Sequence, residues 1–274
     1  MVSPELLTLS VPASPETILG RLRAGGPALV ALSGGVDSAV VAALAFDALG
    51  PRARAATLVG PAISAEEAVW ARRIADEIGI DHLLLEADPL SEPAYRANGP
   101  DRCYHCRTVE GGVLARWAAG HGSPRLLDGA HLDDLGEDRP GLRAMEEAGF
   151  SHPLVEAGWR KPDVRQYASE RGLSNSDRPS NACLASRIAT GEPVSAELLQ
   201  RIERAEAYLS TLGFRQVRVR ASEGAARVEV DPADLPHLFA PVTATSIRAQ
   251  LVELGFHSVE LDRRGYRRGG GRPS

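Results

Sequence analysis

Through the first two-thirds of the chain, short apolar runs alternate with longer amphipathic stretches. That alternation is the mark of β–α–β units wound around a mainly parallel sheet. Strands are expected at 28–32, 53–59, 82–85 and 125–128, and helices at 39–49, 66–78, 108–118 and 161–171. A capping box, Ser64-Ala65-Glu66-Glu67, opens the second of these helices, and Gly79 stops it. Residues 92–107 break the pattern and read as irregular, as do the acidic stretch 131–141 and the polar stretch 175–181. The last third reads differently. A helix from Ser195, its N-cap, runs to Leu212. Two segments with period-two alternation, 216–220 and 226–230, read as paired strands, followed by a helix at 245–254 and a strand at 258–261. Gly191 and Pro193 interrupt the chain near 187–195. The expected organisation is therefore a parallel-sheet α/β domain over 1–190 and a smaller α+β domain over 191–274.

Length and composition fit two soluble domains: 274 residues, 43% hydrophobic and 24% charged. The N-terminal segment carries prolines 4, 12 and 15 and no basic residue before Arg21, unlike a signal peptide. With no apolar run of membrane-spanning length, the expected compartment is the cytoplasm, with no membrane partner. A net charge of −5 argues against nucleic acid as the partner, because phosphate neutralisation needs a basic excess. The Arg-rich stretch 263–272 is the one local exception, and such a tail also reads as a frayed, solvated end. Lys161 is the only lysine among many arginines, which singles it out as a point-charge contact where a guanidinium does not substitute.

Three motifs carry chemistry. Ser33-Gly34-Gly35-Val36-Asp37-Ser38 lies between a buried strand and a helix. Two glycines let successive N–H groups converge at a helix N-terminus, two hydroxyls add donors, and Asp37 fits beside phosphate only through a bridging Mg²⁺. The ending lacks the Gly-Lys-Ser/Thr of a Walker loop. The motif resembles the signature PP-loop of the ATP pyrophosphatase superfamily, which implies that Ser33, Gly34, Gly35, Asp37 and Ser38 bind ATP. The second motif, Asp128-Gly129-Ala130-His131-Leu132-Asp133-Asp134, with Asp138 and Arg139 behind it, follows a strand. It therefore sits on the same carboxyl edge of the sheet. Its carboxylates read either as nucleotide-metal contacts or as a solvated turn.

The third element is Arg102-Cys103-Tyr104-His105-Cys106-Arg107 together with Asn181-Ala182-Cys183-Leu184-Ala185-Ser186-Arg187. Three thiolates suit three corners of a [4Fe–4S] cluster, or a zinc site completed by an imidazole such as His105; three unrelated cysteines are the remaining reading. Arg178 and Arg187 flank Cys183, and cations raise thiolate content. Arg218 and Arg220, two apart on an expected strand, share a face and are candidates for a phosphate clamp. A solvated strand face is the alternative.

The Arg-Cys-Tyr-His-Cys run, the stretch 177–187, Arg218-Val219-Arg220 and the ending Leu261-Asp262-x-x-Gly265-Tyr266-Arg267 together resemble the LarE family over residues 29–268. The resemblance implies an ATP-dependent sulfur transferase. Such an enzyme adenylylates a carboxylate of a pyridinium dicarboxylate mononucleotide and inserts sulfur, a step towards the nickel-pincer cofactor. Family members work in one of two modes. In one, a single cysteine, matching Cys183, gives up its sulfur and becomes dehydroalanine. In the other, three cysteines, matching Cys103, Cys106 and Cys183, hold a [4Fe–4S] cluster whose open iron carries sulfide, and this chain resembles the second mode. The resemblance further implies ATP and Mg²⁺ as cofactors, substrate-phosphate contacts from Ser186, Arg187, Arg218 and Arg220, nucleotide contacts from Asp128, Gly129, Asp133 and Lys161, and a homo-oligomer. His131 stands where the family pattern leads one to expect Asn.

A tRNA thiolase of the same superfamily is the nearest alternative, and the acidic balance and lack of an RNA-binding module stand against it. An amide-forming adenylating ligase would need an ammonia source, and no glutaminase-like segment is visible. From another class, a non-catalytic nucleotide or metal carrier would release no pyrophosphate with any substrate.

Overall fold

The computed structural model describes residues 12–135, 140–179 and 182–267. Its longer elements begin with α1 (Pro15–Ala24), β1 (Ala28–Ala31), α2 (Val36–Leu49), β2 (Ala53–Val59), α3 (Ala65–Ile78) and β3 (Asp81–Glu86). They continue with α4 (Pro93–Arg96), α5 (Arg102–Gly120), β4 (Arg125–Leu127), α6 (Pro140–Glu147), β5 (Phe150–Ser151), α7 (Pro153–Glu156) and α8 (Lys161–Glu170). The remainder is α9 (Ala196–Thr211), β6 (Val217–Ser222), β7 (Ala225–Val230), α10 (Leu235–Leu238), α11 (Pro241–Glu253) and β8 (Ser258–Leu261). Two compact units result. One takes Met1–Pro89 with Cys103–Asn181, the other Leu90–Arg102 with Ala182–Ser274. The expected division near 187–195 rested on local chain breakers. The units instead divide at 181/182, and the smaller one also takes in 90–102, which no local signal shows.

The first unit is the expected α/β fold: a parallel five-stranded sheet in the order β3-β2-β1-β4-β5. Strand alternation sorts β1 between two cores. Ala28 and Val30 join α1, α2, α3 and α8, while Leu29 joins Leu114 of α5, Met145 of α6 and Phe150. Helix α2 is apolar on nearly every side, and ten of its residues are buried. A helix with that pattern must be covered all round, and α1, α3 and α8 cover it. Its N-terminus therefore emerges at one place only, the carboxyl end of β1. Helix α5 starts at Arg102, six residues earlier than the sequence suggests, so Cys103 and Cys106 lie in its first turn and not in an irregular segment. Ser64 is the N-cap of α3, but its side chain makes no capping hydrogen bond, so the expected capping box does not form.

The second unit has a three-stranded sheet in the order β6-β7-β8. The β6–β7 hairpin turns through Glu223 (φ 49°) and Gly224 (φ 77°), the two positive values that a tight hairpin of this hand requires. Ser195 caps α9 by accepting from Leu198 N at 3.2 Å, as expected. Asn98 ties the 90–102 segment into this unit: its amide donates to the carbonyls of Ala189 (2.8 Å) and Glu192 (2.9 Å).

Two glycines separate packing from propensity. A Cβ on Gly129 would stand 2.5 Å from Ser38 N and 2.7 Å from Asp37 C, both backbone atoms of the first turn of α2. Gly129→Ala is expected to destabilise the fold by roughly 1–3 kcal/mol, the cost of overpacking. Gly20, inside α1 with nothing within 4 Å, is the control. Gly20→Ala is expected to be neutral or to stabilise by up to about 1 kcal/mol. Denaturant unfolding of the two variants checks the pair, and equal effects would contradict the close approach of the β4 loop to α2.

Candidate active site

The Ser33–Ser38 loop leaves β1 and enters α2. Gly34 has φ 80°, and a Cβ there would meet Glu67 O at 2.8 Å and Ala71 N at 3.0 Å, so both its dihedral and its packing against α3 require glycine. The buried Ser38 hydroxyl organises the turn. It accepts from Ser33 N (3.1 Å), donates to Gly35 O (3.1 Å) and lies 3.1 Å from Ser33 Oγ. Asn175, fully buried, donates to Gly34 O at 3.0 Å and fixes that peptide from the far side. The serines thus shape the loop through each other, and the anion-binding groups are the N–H donors of the first turn of α2 with its dipole.

Lys161, the first residue of α8, reaches this turn. Its Nζ donates to Asp37 Oδ1 at 2.6 Å and Oδ2 at 2.7 Å, so the lone lysine is engaged at the start of α2 and is not a solvated helix start. Its backbone N donates to Asp133 Oδ2 (2.9 Å), while Arg160 donates to Asp133 Oδ1 (2.6 Å). The Lys161 N–H bond, helped by Arg160 and opposed by partial burial, holds the Asp133 carboxyl below its ordinary range. His131, buried, has Nε2 3.8 Å from Asp37 Oδ1 and Nδ1 3.5 Å from Asp134 Oδ2. Asp128 turns inward. Its Oδ1 lies 2.7 Å from His152 Nδ1 and accepts from Ala130 N at 3.1 Å. Burial opposes the charge on His152, but the hydrogen bond and charge of Asp128, with Glu146 and Glu156, hold that imidazole above its ordinary value. Gly129 admits this loop to the first turn of α2. Ser33, Gly34, Gly35, Asp37, Ser38, Gly129, Asp133 and Lys161 thus lie together at the carboxyl edge of the sheet, with Asp128 behind them. Asp138, Arg139 and Asn181 lie outside the described residues.

Cys103 is exposed and Cys106 half-buried, three apart on the first turn of α5 and hence on one side of the helix. The Cys106 thiol donates to Glu110 Oε1 at 3.4 Å, and Arg107 holds the other carboxylate oxygen at 3.0 Å. Gly141 allows α6 to pack against this turn, where a Cβ would lie 3.5 Å from Cys103 O. Among the described residues, no three His, Cys, Asp or Glu side chains form a ready metal site.

In the second unit, Cys183 is exposed at the start of a short turn. The guanidinium of Arg187 is fully buried. It forms a two-pronged pair with Glu206 (2.9 and 3.0 Å) and donates to the carbonyls of Ala182 and Cys183, the latter at 3.0 Å. Arg187 therefore holds the cysteine turn from behind, its guanidinium engaged by Glu206 and two carbonyls. Arg178, in the first unit, pairs with Glu67 (2.8 Å) and Glu66 (3.3 Å) of α3. Arg220 lies between Glu229 Oε2 (3.1 Å) and Ser186 O (3.0 Å). Arg218 is buried, 5.2 Å from the Tyr266 ring centroid. Burial, then the charge of Arg187, lower Arg218 from its ordinary value, with Glu206 opposing. Arg102, the residue before Cys103, donates to Ala185 O at 2.9 Å. Sequence reasoning did not find Asn175, His152, Glu206 or Glu229. Each is an ordinary polar residue whose partner is distant in sequence or on another strand, and only the Asp128–Gly129 motif pointed towards any of them.

A profile of the asparagine synthase family matches residues 16–97. An uncharacterized protein of Synechocystis is 40% identical over 242 residues, covering 88% of this chain and 90% of that one. The pyridinium-3,5-bisthiocarboxylic acid mononucleotide synthase of Lactiplantibacillus plantarum is 34% identical over 254 residues, 92% of this chain and 91% of its own. The tRNA-specific 2-thiouridylase of Azorhizobium caulinodans is 32% identical over 200 residues, but covers only 60% of this chain and 51% of itself.

The His152–Asp128 pair gives a pH signature. Because His152 titrates higher folded than unfolded, its contribution to stability is complete below the unfolded value, near 6.5, and is lost as pH rises through the folded value. In Asp128→Asn, the His152 midpoint, followed by NMR, is expected to fall below that of the wild type, since only the charges of Glu146 and Glu156 then oppose burial. The stability deficit of this variant is expected to be largest at or just below pH 6.5 and to shrink towards pH 8.5. A deficit that grows with pH would contradict the pair.

Proposed function

The chain belongs to the LarE family of ATP-dependent enzymes, and on that footing we propose that it adenylylates a carboxylate of pyridinium-3,5-biscarboxylic acid mononucleotide and then places sulfur on the activated carbon. The two relatives with named activities, a bisthiocarboxylic acid mononucleotide synthase and a tRNA-specific 2-thiouridylase, both make sulfur-containing products. The full-length match favours the small-molecule substrate over tRNA, because the thiouridylase match stops at 60% of the chain.

A single observation carries the reading. Arg187 holds the carbonyl of Cys183, and Arg220 holds that of Ser186, so the exposed thiol and the cationic strand β6 form one rigid body. Arg218 and Arg220 bring positive charge to the substrate phosphate, Ser186 adds a hydroxyl, and Arg187 positions the turn. In the first unit, the substrate carboxylate attacks the α-phosphorus of ATP, and pyrophosphate leaves into the N–H donors at the start of α2. Lys161, paired with Asp37 here, would swing its ammonium to the phosphates, and the freed Asp37 carboxylate would hold Mg²⁺, which prefers oxygen donors and would supply charge neutralisation for the triphosphate. A sulfur nucleophile then attacks the acyl carbon and AMP departs. The donor set suits an iron–sulfur cluster in part: Cys103 and Cys106 offer two corners from one helical turn, and exposed Cys183 offers the third. Such a [4Fe–4S] cluster supplies an open iron as a renewable site for sulfide. The acidic pairs on the sheet edge, the small-molecule substrate and a homo-oligomeric assembly belong to the same reading.

The two half-reactions separate by mutation. Asp37→Asn is expected to lower substrate-dependent pyrophosphate release by at least about a hundredfold, as the loss of transition-state charge stabilisation does. Cys183→Ser is expected to keep pyrophosphate release but to yield no sulfur-containing product. Pyrophosphate assays and product mass spectrometry read both steps. A Cys183→Ser enzyme that still makes thiocarboxylate would remove the thiol from the reaction.

A further inference from the structure

We propose that the second unit carries a separate nucleoside-phosphate site at the outer edge of β8, distinct from the Arg218–Arg220 clamp. A concavity of about 640 Å³ opens there, within the range of small-molecule sites. Five of its residues are arginines: 227, 248, 263, 264 and 267. The lining holds two carboxylates, Glu260 and Asp262, and Arg227 also pairs with Glu229 at 3.2 Å, which leaves the arginines in excess in a chain whose net charge is −5. Concentrating cations against the overall balance costs self-repulsion, which a multiply charged anion relieves.

The ion pairs inside the concavity are loose. Asp262 is shared by Arg227 (3.7 Å) and Arg267 (3.8 Å), both longer than a hydrogen bond. Its Oδ1 instead accepts from Arg264 N at 2.6 Å, closing the turn that presents Arg263 and Arg264. Among the described residues, Arg248, Arg263 and Arg264 make no ion pair, so three guanidinium forks remain to engage phosphate. The remaining wall is apolar. Phe239, 39% exposed, and Val259 and Leu261 of β8 give a surface for a planar base. Cations together with an exposed aromatic ring in one lining suit a nucleoside di- or triphosphate better than a bare phosphate. Because β8 lies at the end of the sheet, the concavity wraps an edge strand and involves none of the residues assigned to the reaction.

Calorimetric titration of the full chain with a non-hydrolysable ATP analogue tests this. Wild type is expected to bind two analogues per chain, one at the Ser33–Ser38 loop and one here. Arg248→Ala/Arg264→Ala is expected to keep the first and weaken the second by an order of magnitude or more. Phe239→Ala is expected to weaken the second site for the analogue but not for inorganic tripolyphosphate. Thermal unfolding confirms that both variants fold. One analogue per chain in wild type and variants alike would overturn the proposal. So would a change of oligomeric state without loss of a site, which would make the groove an interface between copies, or arginines needed only for RNA retention.

Discussion

The ammonium of Lys161, held between the two oxygens of Asp37 at 2.6 and 2.7 Å, is the contact on which the rest of the site depends. It joins the start of α2 to the start of α8, and through its own N–H it also fixes Asp133 on the β4 loop. Three segments that follow three different strands or turns thereby meet at one point on the carboxyl edge of the sheet. That edge is where helix N-termini and strand ends in an open α/β fold leave room for a ligand. An arginine does not reproduce the contact, because a compact ammonium presents one point of charge whereas a guanidinium presents a planar fork. A chain that uses arginine at every other cationic position has kept lysine here.

The second unit solves a different problem: how to expose a reactive thiol without leaving its turn mobile. The turn is anchored from its buried side. Arg187 satisfies two carbonyls and is itself neutralised by Glu206, which also accepts from Val219 N on β6 at 2.9 Å. A buried pair of this kind is not a large source of stability, but removing one partner costs about 3–5 kcal/mol because the other charge is stranded. The same arrangement sets the electrostatics of β6, where the charge of Arg187 adds to burial in disfavouring the cationic form of Arg218. An anionic group beside Arg218 would offset that penalty.

Much of this was legible from residue order, and the exceptions have physical causes. The glycine loop was readable because few sequences place two glycines, two serines and an aspartate between a buried strand and an apolar helix. The alternation of Arg218 and Arg220 predicted a shared strand face, and both lie on β6. The first turns of the cysteine helix leave no signal because residues 102–107 carry no apolar period, the buried positions of α5 beginning only at Glu110. Gly111 is there for packing, since a Cβ would come 2.9 Å from Ala148 Cβ. The hold of Arg187 on the cysteine turn depends on Glu206, nineteen residues away, and an arginine beside a cysteine looks the same in sequence whether it faces ligand or core. The 90–102 segment was placed with the wrong unit because its anchor, Asn98, works through contacts with carbonyls more than ninety residues downstream.

The account divides labour between the units: the first activates a carboxylate with ATP, and the second presents substrate phosphate and sulfur. Quantifying all products of one anaerobic reaction with ATP, Mg²⁺, sulfide and the pyridinium biscarboxylate mononucleotide tests that division most directly. The account requires AMP and pyrophosphate in equal amounts, matched by a pyridinium product in which sulfur has replaced a carboxylate oxygen. Formation of ADP and phosphate, or AMP without any sulfur-bearing product, would contradict it.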